Sequence, residues 1–163
     1  MNVADPDADN PARRGRRKRS IARLAAVQAL YQIELNPGQG ADAVVREFAR
    51  HRLGREIDGD SYGEADAALF AEIVRGVAAD RERLDQYLAA ALSDEWPLAR
   101  LETILRLILE AGAYEIASRP DIPPRVTLSE YVAIAYAFFA GKEPSLANGV
   151  LDRLARTLRG AEL

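Results

Sequence analysis

Apolar residues recurring three or four apart, with no alternation long enough for a strand, are what most narrows the folds open to this chain of 163 residues. That spacing puts side chains on one stripe of a helix, whereas a strand needs alternation. Ile21, Leu24, Gln28, Tyr31 and Leu35 follow it, with Val27 and Leu30 beside them, until Asn36-Pro37-Gly38 stops the run. A first helix over about 16–36 is predicted, with Ser20 standing where an N-cap could stand. Val44, Val45, Phe48 and Ala49 predict a short second helix over about 41–53, ahead of Gly54, and Ile57-Asp58-Gly59-Asp60-Ser61 reads as loop.

Leu69, Ile73, Val77, Leu84, Tyr87, Leu88 and Leu92 mark helical faces across 64–93, where Gly76 and the Asp80 region are candidate breaks. Ser93-Asp94 before Trp96-Pro97 has the chemistry of a helix start. The stripe Leu98, Leu101, Leu105, Ile108, Leu109, Gly112, Ile116 that follows is wide enough for a buried central helix, ended by Arg119-Pro120-Asp121-Ile122-Pro123-Pro124. Thr127-Leu128-Ser129-Glu130 is a capping-box pattern opening a helix with Val132, Ala135, Tyr136 and Phe139. After Gly141-Lys142-Glu143-Pro144-Ser145, a last helix bears Leu146, Val150, Leu151, Leu154 and Leu158. No segment alternates long enough for a strand and no period repeats. The expectation is an all-α domain of six to seven helices over 16–158, with tails at 1–15 and 159–163.

No run approaches the roughly 18–20 apolar residues that span a bilayer, and the first twenty residues lack the apolar stretch of a signal peptide. The chain has no cysteine, which excludes disulfides, thiolate metal sites and thiol catalysis. The expected compartment is the cytoplasm. His51, the only histidine, stands between Arg50 and Arg52 at an expected exposed helix end, and the carboxylates are spread along helix faces beside arginines. Gly54, Gly59 and Gly63 form no phosphate loop or dinucleotide fingerprint. The reading is therefore not an enzyme: no catalytic residues, no metal ligands and no cofactor.

The net charge of −3 is unevenly placed: −3 over residues 1–12, +7 over 13–23, and −7 over the rest. Arg13-Arg14-Gly15-Arg16-Arg17-Lys18-Arg19 leads into the first helix, with Arg23 a turn further on. Such a run suits phosphate oxygens, which arginine meets with a planar fork of donors; the plain alternative is a solubilising tail. Gln28 on the same helix is a candidate for base recognition or equally a polar residue at a helix seam. Tyr31, Tyr114, Tyr131, Tyr136, Phe138 and Phe139 can stack on bases, although aromatics at helical spacing usually pack in a core.

Three segments resemble the NusB family in order and separation over about 16–158. They are Arg23-Leu24-Ala25-Ala26-Val27-Gln28-Ala29-Leu30-Tyr31 behind the basic stretch, then Gly112-Ala113-Tyr114-Glu115-Ile116 with Asp121-Ile122-Pro123 and Val126, and lastly Asn148-Gly149-Val150-Leu151-Asp152. The resemblance implies two packed helical-bundle subdomains, and a transcription antitermination factor that binds the boxA element of ribosomal RNA leaders. It implies as partners NusE, a small-subunit ribosomal protein, and the RNA polymerase elongation complex with other Nus factors. By position it implies RNA contacts at Arg16, Arg17, Lys18, Arg19, Arg23, Gln28 and Asn148, and a NusE-facing role for Tyr31. The chain departs from the pattern at Glu110, where Arg is usual, at Ser129, where Asn is common, and at Leu146-Ala147, where an aromatic and Val are usual. Two other readings stay open: the detached RNA-binding domain of a ribosomal RNA methyltransferase, and a helical protein-interaction module with an idle basic tail. Monomer and homodimer are both open, since both occur among proteins of this kind.

Overall fold

The three-to-four spacing becomes six helices: α1 (Pro11–Leu35), α2 (Ala41–His51), α3 (Ala67–Ala91), α4 (Thr103–Ser118), α5 (Pro124–Phe138) and α6 (Glu143–Arg159). The computed structural model describes residues 10–51, 56–57, 60–61 and 65–163. The expected end of α2 at 52–53 and most of the expected N-terminal tail lie outside these residues. Helices α1 to α3 pack together, as do α4 to α6, and α3 against α4 forms the main seam. One cluster of buried side chains runs through both groups, from Val27 and Leu30 through Phe48, Phe70 and Ile73 to Ile108, Tyr131 and Leu151.

Several element ends differ from the sequence expectation, each for a local reason. Helix α1 begins at Pro11, because proline is pre-set for a first helical turn and the Asn10 side chain accepts from Ala12 N at 3.0 Å. Ser20 is therefore inside the helix, its hydroxyl 3.1 Å from the Arg16 carbonyl and 2.8 Å from Glu130 Oε1. Helix α3 runs unbroken through Gly76 and Asp80, capped by Asp66 on Leu69 N at 2.9 Å. Gly76 is a notch: a Cβ there would stand 2.2 Å from Tyr114 Cε2, so the glycine lets the α4 tyrosine lie against α3.

Ser93-Asp94 does not start a helix. A 3-10 turn at Leu98–Arg100 follows Pro97, Leu101 and Glu102 are extended, and α4 begins at Thr103. The capping box at Thr127 does not form either, because Pro124 already opens α5 and Thr127 is buried in its second turn. Glu130 reaches across to α1 instead of back to its own helix. The segment read as loop holds a short antiparallel pairing, Glu56 with Ser61 and Ile57 with Asp60. Arg159 donates to the carbonyls of Arg119, Pro120 and Ile122 in the α4–α5 link, tying that link to the end of α6.

Candidate nucleic-acid interface

The basic run is the N-terminal half of a continuous helix whose other half is core. Residues 11–14, 16 and 17 are exposed, burial increases from Lys18, and Ala22 is fully buried. Arg13, Arg14, Arg16 and Arg17 therefore project from the body on helical backbone and point around its circumference, with half-buried Lys18 and Arg19 at its base. The arm is anchored where it meets the body: Asp66 N donates to the Lys18 carbonyl at 3.1 Å, and Ser20 meets Glu130. Among the described residues, Arg16, Arg17 and Arg19 make no ion pair.

A cation in the first turn of a helix opposes its dipole, at a cost of about 0.3–1 kcal/mol at low ionic strength, and that turn of α1 holds Arg13 and Arg14. No acidic residue offsets them in the first turn of α1. Helix stability therefore does not account for the placement of Arg13 and Arg14.

Arg23 departs from the expectation of an RNA contact. It is 1% exposed, and its guanidinium forks onto Glu115, with Nε to Oε2 at 2.9 Å and Nη2 to Oε1 at 2.9 Å. Tyr131 donates its hydroxyl to the same carboxylate, and Glu130 stands 3.6 Å from Arg23 Nη1. Burial alone would lower the arginine pKa, but the bonded carboxylate outweighs it and holds the group above its ordinary value. Burial, then the Glu115 charge, pushes Tyr131 well above the phenol range. The signal was present in the sequence: Arg23, Val27 and Leu30 share one helical face, so the face that buries Val27 and Leu30 buries Arg23 too.

The remaining predicted residues are dispersed. Gln28 is half-buried, beyond the buried turn that follows the arm. Tyr31 is half-buried against the core. Asn148 is exposed on α6, which packs principally on α3, α4 and α5, whereas α1 packs on α2 to α5. Beside Asn148 is an apolar-walled cavity of about 280 Å³ lined by Trp96, Lys142, Leu146, Gly149 and Arg153 among others. Trp96 is 45% exposed, and the cavity brings it together with two cations and the Glu143 carboxylate. The sequence reading missed this grouping because Trp96 comes from the α3–α4 link, far from α6 in the chain.

A second polar cluster, also not foreseen, joins α1, α3 and α4. Glu34 bridges Arg81 (2.7 Å) and Arg106 (2.8 Å), while buried Glu110 meets Arg106 (3.0 Å) and Arg81 Nε (3.3 Å). Burial first, and then the hydrogen bond to Asp85, pushes Glu110 up to about 8 against the pull of both arginines. Glu34 is held below the usual carboxylate range by its hydrogen bond to Arg106. Position 110, where the resemblance implied Arg, thus holds an acid in a cluster with two arginines.

Among the described residues, no group of three or more acidic or histidine side chains is arranged to hold a metal ion, and no helix is long and apolar enough to cross a membrane. The chain is 54% identical over 143 residues to the transcription antitermination protein NusB of Rhizobium johnstonii, covering 88% of this chain and 89% of that protein. It is 49% identical over 158 residues to the same protein of Rhizobium rhizogenes, covering 97% and 98%. Among solved structures, NusB of T. maritima matches with a TM-score of 0.71 at 26% identity, over 90% of this chain and 95% of that one. A chain from the complex of antitermination factors NusB and NusE with double-stranded RNA matches the fold with a TM-score of 0.64 at 20% identity, over 86% and 98%. The family model described as NusB family matches residues 20–156, and with these relatives it shows that the chain belongs to the NusB family.

Proposed function

We propose that this protein is a non-enzymatic transcription antitermination factor acting in the cytoplasm, which binds boxA RNA together with NusE and joins the RNA polymerase elongation complex. The observation that carries this reading is the projecting N-terminal half of α1, on which Arg16, Arg17 and Arg19 make no ion pair among the described residues and are open to phosphates. The names of the relatives support the antitermination role, and the solved NusB–NusE–RNA complex supports the two partners. Arg16, Arg17, Lys18 and Arg19 hold phosphates. Asn148, beside the cavity of Trp96, Lys142 and Arg153, and Gln28 contribute selectivity, while Tyr31 faces NusE. Two weak surfaces acting on one RNA multiply their effect through local concentration.

Fluorescence anisotropy of a labelled boxA RNA, with and without NusE and beside a scrambled control, tests the reading across a salt series. Binding that favours boxA, tightens with NusE and weakens with salt is the expected result. Equal binding of boxA and scrambled RNA in the presence of NusE overturns it. Sedimentation of the free protein at the same concentrations tells whether a homodimer competes with RNA for the arm.

A further inference from the structure

A second cationic strip lies on α2. Arg46 and Arg50 are exposed and one turn apart, with His51 exposed next to Arg50. The carboxylates of this helix are engaged elsewhere: Asp42 pairs with Arg75 at 2.8 Å, and Glu47 accepts from Gln32 and Gln39, each at 3.1 Å. Among the described residues, Arg46 and Arg50 form no ion pair. Cations in the last turn complement the helix dipole, which accounts for Arg50 and His51 but not for Arg46 further in.

The hairpin geometry relates this strip to the arm. Gln32 bonds both to Gln39 in the connection and to Glu47 on α2, so α2 runs back along α1 towards the arm. Phe48 of α2 stacks on Phe70 of α3 at 5.4 Å between centroids, one turn from Asp66, whose N–H bonds the Lys18 carbonyl, so the last turn of α2 lies on the order of 10 Å, two helical turns, from the base of the arm. A few nucleotides of single strand cover that distance. The arm carries cations around its circumference, so a strand can leave it towards α2 and remain on positive charge.

Resting on the RNA-binding reading above, we infer that Arg46 and Arg50 form an extension of the RNA track, holding phosphates of the single strand that flanks the recognised element. The ligand there is the sugar–phosphate backbone, without base preference. This follows from the placement of α2 and the commitment of its acids to other partners.

The test compares a boxA RNA of about 12 nucleotides with RNAs extended on either side to about 30, using the full chain with NusE. The wild type should bind one extended RNA several-fold more tightly, and the double variant Arg46→Ala, Arg50→Ala should lose that gain while holding the short RNA unchanged. On the extended RNA its slope of log affinity against log salt should fall by about 1.4, at roughly 0.7 per single-strand phosphate. Arg46→Glu with Arg50→Glu should enlarge the loss, with circular dichroism showing the helices intact. Equal affinities of wild type and variant on every length overturn the strip. If Arg16→Ala, Arg17→Ala, Arg19→Ala binds like the wild type on every length, the RNA-binding reading itself fails, whatever the α2 variants do.

Discussion

Arg23 and Glu115, 92 residues apart in sequence, meet inside the protein as a forked ion pair with both side chains at 1% exposure or less. The pair ties the first buried turn after the arm to the central helix, and Tyr131 from α5 completes it. Removing one partner of a buried pair leaves a charge without compensation, which costs about 3–5 kcal/mol. Glu115→Ala should lower stability by about that much in urea unfolding, while Arg23→Met with Glu115→Leu should recover much of it. A single variant with wild-type stability would show that the pair is not buried in solution.

The surface arginines should behave in the opposite way. Arg16→Ala, Arg17→Ala, Arg19→Ala should leave unfolding within about 0.5 kcal/mol of the wild type per site. The same variant should reduce the salt slope of RNA binding by about 2, from three contacts at roughly 0.7 each. Thermal denaturation and anisotropy on one preparation measure both.

Glu110 makes stability depend on pH. Its carboxyl is favoured in the protonated form when folded and titrates at about 8, against an ordinary value near 4.5. A raised acid stabilises the fold fully below its unfolded pKa, and that contribution is lost as pH rises from about 4.5 to 8. Calorimetry should show the melting temperature falling over that window. Glu110→Gln, which keeps the shape and cannot ionise, should flatten the fall; an unchanged slope would place its origin elsewhere.

Gly76 should tolerate no side chain. The Cβ of Gly76→Ala would enter the Tyr114 ring, and forced repacking of this kind costs about 1–3 kcal/mol. Tyr114→Ala in the same background should recover part of the loss by clearing the space, as a double-mutant cycle in denaturant will show.

Helix identity was legible wherever packing and propensity agreed, as in the stripe from Leu105 to Ile116. The errors arose where one residue had two uses. Gly76 has the chemistry of a breaker, yet contact with Tyr114 made it an inward notch. Thr127 and Glu130 have capping-box spacing, but Pro124 opens the helix first and Glu130 turns to Ser20. Arg23 shares its residue type with the arm, and only its helical phase with Val27 and Leu30 distinguishes it. The cavity beside Asn148 and the Glu34–Glu110 cluster bring together residues from separate helices, which spacing along one helix does not reveal.

The unbroken backbone of α1 has a mechanical consequence. With no joint between the arm and the buried turn that holds Arg23, the arginines keep a fixed spacing and a fixed bearing relative to the body. A flexible basic tail gives up about 1–2 kcal/mol of backbone freedom for each residue that binding orders. Here folding has already met that cost, so an RNA bound to the arm would be held at a set angle to the body, as by a rigid bracket.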